Sequence, residues 1–561
     1  MNIIKNTVTI SILTASSLLA ATPNIGDVLK EVKSPKDLSS KKTTPLVEVG
    51  GVKKYAPVMV DDKSGKSILV KTIQIEGATK IPLSELEDLV ASYTNKKLTF
   101  NQIQEVTSII TKEYRSQGYF VARAYIPVQK MKDGNIKIAI IEGNYGKFNL
   151  KNNSRVKDSI VQGMLDEAKS DKVISTNTLE RAMLIINDTA GVVVTSADVM
   201  PGAEIGSSDF AIATESSAAY DGYIIADNQG SRYTGKNRLM AGINLNSPFK
   251  IGDKLSLSGL ISNGENLKNG RASYSFPVMS NGMNLELSYS NTTYTLADKY
   301  DSLEARGNSK NLDLTLKYPI IRTRLENLNT TLNLTKKSLK DEVRSTSDVT
   351  EKDANVMNFG FDYDKNHSFF GLDSQTSASI TYTLGRLVFA DESKRTSDEA
   401  GANTNGSYSK IAFTLGKTIA LSEKSTIESS FKYQHSLGNK NLDGSEDFSI
   451  GGSTGVKVYP DGELSAENGY VFNIEAKYRV INNYQGLTSQ LGVFYDRGKA
   501  YMAENNVGFE SKSLQDIGIG SYSNYKDFFA QVQAAWTVNS ESVTSEPTRN
   551  SRVLFQGGWK F

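Results

Sequence analysis

Gly451 to Gly455 reads Gly-Gly-Ser-Thr-Gly, the G-x-S-x-G spacing in which a strand-to-helix elbow presents a nucleophilic serine, here Ser453. Acyl transfer at such an elbow needs a histidine base that follows the serine in the chain. The two histidines, His367 and His435, both precede Ser453, and the residues after the motif, Val456 to Leu464, carry no helical periodicity. A triad therefore has no base to complete it. Two isolated histidines and zero cysteines supply no zinc or iron ligand set. Carboxylates are numerous but scattered, which leaves a glycosidase pair open without pointing to one. The expectation is a protein that is not an enzyme, with no metal and no cofactor.

The 64 Lys and Arg nearly cancel the 62 Asp and Glu, so no basic footprint for nucleic acid follows. Lys5 is followed by an uncharged stretch from Asn6 to Ala21 that ends in small residues, the pattern of a signal peptide over 1–21. An exported chain without cysteine has no disulfide staples and must be stabilised by long-range pairing or a large core. Beyond the leader, no run of apolar residues reaches the length of a membrane helix. A membrane location would then require a barrel.

The positioning elements fall into blocks. Residues 22–66 are rich in Lys, Ser and Pro and read as a linker. Within them Ile25, Val28, Leu29 and Val32 recur at helical spacing before Pro35, which predicts a two-turn amphipathic helix. Residues 67–143 predict a βααββ unit. Its first strand runs through "ILVKTIQIEGA", Ser84 and Glu87 have capping-box spacing at one helix, and Thr99 and Gln102 have it at the next. Two strands follow, "YFVARAYIPVQ" and "NIKIAIIEG". Residues 144–216 predict the same order again.

From 217 to 561 the texture becomes alternating strands, as in "MNLELSY" and "NLDLTLKY", with room for about sixteen strands at about 21 residues per strand and connection. Some connections are a few residues and others long and polar, as in a barrel with short periplasmic turns and long outer loops. The chain ends on "RVLFQGGWKF", in which Val553, Phe555, Gly557, Trp559 and Phe561 share one face. A terminal strand of this kind is an aggregation hazard unless closure removes its edge.

The segments "IEGAT", "SQGYFVARAYIPVQ", "DGNIKIAIIEGNYG", "LERAMLIINDTAGVVV" and "ADNQGSRYTGKNRLMAGINLNSPFKIGDKLSLSG" together resemble the haemolysin secretion/activation family, the outer-membrane transporters of two-partner secretion known as TpsB. That resemblance implies two periplasmic α+β POTRA domains followed by an outer-membrane β-barrel. It also implies a long loop folded back into the lumen, whose V-R-G-Y tip contacts the acidic residue of an F-x-D-x-G strand. The tip here is Val456, Lys457, Val458 and Tyr459, with lysine and valine where arginine and glycine are usual. The wall motif is intact as Phe494, Asp496 and Gly498. An ammonium can pair with Asp496 but lacks the flat bidentate fork of arginine.

The same resemblance gives Ile25, Val28, Leu29 and Val32 the role of a pore helix. It makes Phe561 the terminal signal read by the barrel-assembly machinery, and it implies a large, unfolded exported exoprotein, such as a haemolysin or adhesin, as partner. The POTRA units would capture an extended segment by strand addition or in the groove beside the second helix. Tyr119, Phe120, Arg123 and Tyr125, expected on the strand after the second helix, are the candidates for that contact. Two other readings are a barrel-assembly insertase of the same superfamily and a general diffusion porin.

Overall fold

The computed structural model describes residues 23–32, 48–49, 59, 67–130, 133–504, 511–538, 541, 543 and 549–561. The predicted leader and most of the linker lie outside these. Near the amino terminus stand a short helix, α1 (Ile25–Glu31), and a two-residue strand, β1 (Glu48–Val49).

The first α+β unit comprises β2 (Ser67–Val70), β3 (Thr72–Glu76), α2 (Leu83–Val90), β4 (Lys96–Thr99), α3 (Phe100–Ser116), β5 (Arg123–Tyr125) and β6 (Asn135–Ile141). The strand expected to run unbroken through "ILVKTIQIEGA" divides at Lys71. Its first half pairs with β4, an element the periodicity did not reveal, and its second half pairs with β6. The capping box at Thr99 and Gln102 is formed, whereas the one expected at Ser84 and Glu87 is not. Pro82 occupies the N-cap of α2, so Ser84 lies inside the first turn, where its hydroxyl has no orphan amide to accept. Leu86, Val90, Ile103, Val106, Ile110 and Tyr114 face Ile136 and Ile138 in one core, at the helical spacings seen in the sequence.

The second unit runs β7 (Asn144–Asn153), α4 (Asp158–Glu167), α5 (Thr176–Asp188), β8 (Val193–Pro201) and β9 (Ser207–Glu215). It is tied to the first by backbone bonds from Thr176 to Gly118 O and from Ile174 to Gly143 O, each 2.9 Å. Its helix α5 is bolted to the barrel. Arg322 forks onto Asp188 at 2.6 and 2.8 Å, and Arg181 donates to the carbonyl of Pro319 at 2.5 Å.

Sixteen antiparallel strands close the barrel. The first half is β10 (Tyr220–Asp227), β11 (Arg238–Asn246), β12 (Lys254–Ser262), β13 (Leu267–Pro277), β14 (Asn284–Thr295), β15 (Ala305–Arg322), β16 (Glu326–Val343) and β17 (Asp348–Phe369). After β18 (Leu372–Phe389), an outer loop carries the polar helix α6 (Glu392–Glu399), and β19 (Gly406–Ala420) and β20 (Ser425–Ser436) follow. The long connection after β20 holds a small pair, β21 (Phe448–Ser449) and β22 (Ser465–Ala466). The wall resumes with β23 (Asn468–Tyr484), β24 (Leu487–Tyr501), β25 (Lys512–Tyr525), β26 (Phe528–Thr537) and β27 (Ser551–Lys560).

Period-two alternation divides each strand between two media. On β14, Leu287 and Tyr289 point outward while Ser288, Ser290 and Thr292 are buried in the lumen. On β27, Val553, Phe555 and Trp559 face out, and Arg552 and Leu554 are buried inside. Closure is made by β10 and β27, paired from Tyr223 with Lys560 to Asp227 with Gln556. Phe561 extends that seam through reciprocal backbone bonds with Gly222 of 2.9 and 3.1 Å. A side chain at Gly222 would collide with the Phe561 ring, its Cβ lying 2.5 Å from Cζ.

Candidate functional site

The lumen is filled by residues 437–467, the connection from β20 to β23, and by α1. The loop turns back into the barrel because its tip is apolar. Ile450, Val456, Val458 and Tyr459 are fully buried against Val471, Phe494, Leu514 and Ala535 of the wall. Burial of the tip also buries Lys457, whose Nζ donates to Asp496 Oδ2 at 2.7 Å and lies 4.2 Å from the centre of the Phe494 ring. Asn473 donates to the other oxygen of Asp496 at 2.7 Å and to the carbonyl of Gly455 at 2.8 Å. A desolvated pair survives only when its remaining lone pairs are met in this way. Gly498 admits the loop, since a Cβ there would approach that of Ile450 to 3.0 Å.

The residue that replaces the usual glycine costs no backbone strain, because Val458 lies outside the left-handed region. Its amide donates to Asp516 Oδ2 at 2.6 Å. Asp516 stands directly opposite Asp496 on the neighbouring strand. Tyr459 is held at both ends, its hydroxyl donating to the carbonyl of Glu541 at 2.8 Å and its carbonyl accepting from Arg552 at 3.0 Å. Further back, the loop's carboxylates meet wall lysines: Glu446 pairs with Lys337 and Lys410 at 2.5 and 2.9 Å, and Asp443 with Lys352 at 2.5 Å.

The helix α1 starts at a capping box of Asn24 and Asp27. Ile25 and Val28 are buried among Tyr233, Met240, Leu260 and Tyr294, with Leu29 and Val32 partly buried beside them. Polar anchors hold both ends. The Ile25 amide donates to Asp341 Oδ1 at 2.7 Å, and Glu31 accepts from Thr234 at 2.6 Å. Arg238, forked onto Asp227, donates to the Glu31 carbonyl at 2.7 Å. The helix also rests on the loop, through Lys30 to Ser465 at 2.8 Å and through Gly26, whose Cβ would fall 2.5 Å from the backbone of Gly444.

Ser453 sits in a turn of this loop, with no helix following it. Of the partner-contact candidates, only Arg123 and Tyr125 are on β5. Tyr119 and Phe120 precede it in the turn that ends α3, a correction to their expected place on that strand. The cause is packing. Tyr119 lies edge-on to Tyr114 at 5.8 Å in the first core, and Phe120 inserts toward the second core. Asp516, Asn473, Arg552, Asp341 and Arg238 were not singled out from the sequence. Their one signal there is a polar residue at a lumen-facing position of an alternating strand, and dozens of others share it.

The family model described as "Haemolysin secretion/activation protein ShlB/FhaC/HecB" matches residues 206–522, and that of the ShlB-type POTRA domain matches 68–143. A curated relative, the heme/hemopexin transporter protein HuxB of Haemophilus influenzae (strain 86-028NP), is 25% identical over 547 residues, covering 95% of each chain. Among solved structures, CdiB from Escherichia coli superposes with a TM-score of 0.73 at 19% identity, covering 90% of this chain and 93% of that one. BamA from Haemophilus ducreyi lacking POTRA domains 1–3 shares the fold at a TM-score of 0.51 and 14% identity, over 88% of this chain and all of that one. With a closed barrel whose seam is made by its two terminal strands, α+β units bolted beneath it and a family match over more than half its length, this chain belongs to the haemolysin secretion/activation family of outer-membrane two-partner secretion transporters, whose POTRA domains lie in the periplasm.

Proposed function

We propose that the protein receives one large exported exoprotein, unfolded, in the periplasm and threads it through the barrel to the cell surface, and that α1 and the 437–467 loop close the lumen between transits. One observation carries the closure role: both elements fill the lumen without joining the wall's strand ladder. Side-chain bonds and small apolar contacts hold them, among them Lys457 to Asp496 and Ile25 to Asp341. Such contacts can be exchanged one at a time, unlike a strand paired along its whole length. The periplasmic units supply strand edges, whose backbone groups bind an extended segment with little dependence on its sequence.

Gene deletion followed by comparison of surface and culture-supernatant proteins tests this. The expected result is loss of one very large exported protein, restored by complementation, with the other outer-membrane proteins unchanged. An unaltered set of exported proteins would overturn the proposal. A broad fall in outer-membrane proteins would point instead to an insertase.

A further inference from the structure

Strand register sets Lys336 of β16 opposite Asn355 of β17, and Asn355 opposite Arg386 of β18, all three exposed on the lipid-facing side of the wall. Neighbouring strands lie about 4.8 Å apart, so the two cations flank Asn355 at about 10 Å from each other. Two residues farther toward the outer rim, Lys310 of β15 is exposed opposite Ser338. Among the described residues, none of Lys310, Lys336 and Arg386 forms an ion pair. The neighbouring carboxylate, Asp353, accepts from the Ser338 hydroxyl at 2.6 Å.

The cations around this row are treated differently. Nearer the rim, Arg306 pairs with Glu342 at 2.9 Å and Lys340 with Glu351 at 2.7 Å. On the inner side of the same strands, Glu446 and Asp443 of the loop meet Lys337 and Lys352. Among the described residues, then, acids are supplied on either side of the row and not to the row itself. The row below is apolar throughout, with Leu314, Leu334, Met357 and Leu384 in register and exposed. From Asn355 down β17 to the next outward cation, Lys365, is ten residues. At about 3.3 Å per residue and a tilt of about 40°, that descent is about 25 Å, the height of the apolar band on such a barrel. Lys336 and Arg386 therefore stand at one edge of the hydrocarbon. It is the outer edge, because the periplasmic units are bolted to the opposite end of the wall at Arg322.

We infer that Lys336, Asn355 and Arg386, with Lys310 above them, bind a phosphorylated glycolipid of the outer leaflet. Its phosphate oxygens take the Lys336 ammonium, the Asn355 amide and the Arg386 fork, and its acyl chains lie on the apolar row beneath. A soluble anion could meet the charges but would leave that row unused. Charge and apolar contact meet at one height on the wall, which is the geometry of a lipid headgroup joined to its chains. The site does not depend on which polypeptide the barrel exports.

The test uses the full-length protein in detergent and bis-phosphorylated lipid A, with bound lipid counted by native mass spectrometry. The parent is expected to keep lipid A through a wash that strips phosphatidylglycerol, and Lys336→Gln with Arg386→Gln to keep at least about tenfold less. Arg306→Gln with Lys340→Gln, which removes two cations already paired, should stay within about twofold of the parent. The heat-modifiable band shows that each variant is folded. Equal retention by the parent and the Lys336, Arg386 variant would overturn the site, and equal retention of phosphatidylglycerol would overturn its assignment to a glycolipid. Salt checks the unmodified protein, whose retention should fall at least about tenfold as the Debye length shrinks from about 10 Å at 0.1 M to about 3 Å at 1 M. Retention unchanged by salt would overturn the role of the cations.

Discussion

Asp496 on β24 and Asp516 on β25 face each other directly across two neighbouring strands, both fully buried, with Lys457 and the amide of Val458 between them. Two buried carboxyl groups directly opposite each other cannot both stay ionised without a counter-charge. The loop tip therefore does more than pack against the wall, because it brings in the positive charge and the donor that make this pair of carboxylates tolerable.

Replacing Lys457 with methionine keeps the volume and removes the cation, which leaves the buried Asp496 carboxylate without its counter-charge. Breaking a buried pair in this way costs about 3–5 kcal/mol. We expect faster tryptic cleavage within 437–467 and a lower unfolding temperature on semi-native gels. Lys457→Arg should match the parent, because a guanidinium keeps a counter-charge beside Asp496.

The two aspartates should respond differently to neutralisation. Asp516→Asn keeps an oxygen for the Val458 amide and places no charge opposite Asp496, so stability should hold within ~1 kcal/mol of the parent. Asp496→Asn takes the counter-charge from Lys457 and should destabilise by more than that. Urea unfolding of the two variants in the same detergent checks the order.

Gly26 lies against the backbone of Gly444, and neither chain can yield without moving the helix or the loop. Gly26→Val should dislodge α1 while leaving the wall intact. Planar-bilayer recordings are expected to show larger and more frequent openings than the parent, close to those of a variant lacking residues 23–32.

Closure at the seam depends on Phe561 sitting where Gly222 has no side chain. Deleting Phe561 and substituting Gly222→Val should both slow assembly, seen as loss of the heat-modifiable folded band. Antiparallel pairing elsewhere in the wall should be unaffected, which circular dichroism of the assembled fraction would show.

In the first periplasmic unit, burial pushes the Glu142 carboxyl up, but hydrogen bonds from Thr79, the Lys80 amide and the Tyr114 hydroxyl outweigh it and hold the group below the usual carboxylate value of 4.5. A depressed folded-state value adds stability that is complete above about pH 4.5 and is lost as pH falls through the lower value. Protection of the Thr79 and Lys80 amides, measured against the intrinsic exchange rate at each pH, should fall on acidification over that range. Glu142→Gln should remove the pH dependence of that protection.

Much of the architecture is a direct consequence of residue order. Period-two alternation from "MNLELSY" to "RVLFQGGWKF" separates lipid-facing from lumen-facing side chains before any strand is paired. Helical spacing in "QIQEVTSII" and the box at Thr99 mark α3, and Ile25 with Val28 mark the buried face of α1, because these signals are local. Only the tertiary structure decided which polar residues meet. Asp516 opposite Asp496, Asp341 under Ile25, and Arg238 at the end of α1 are set by strand register and loop path over tens to hundreds of residues. Nor does the linker's sequence reveal that Glu48 and Val49 pair with β8 in the second sheet. A one-residue slip in register would send every one of those side chains to the opposite face, and register is a property of the closed barrel, not of any stretch within it.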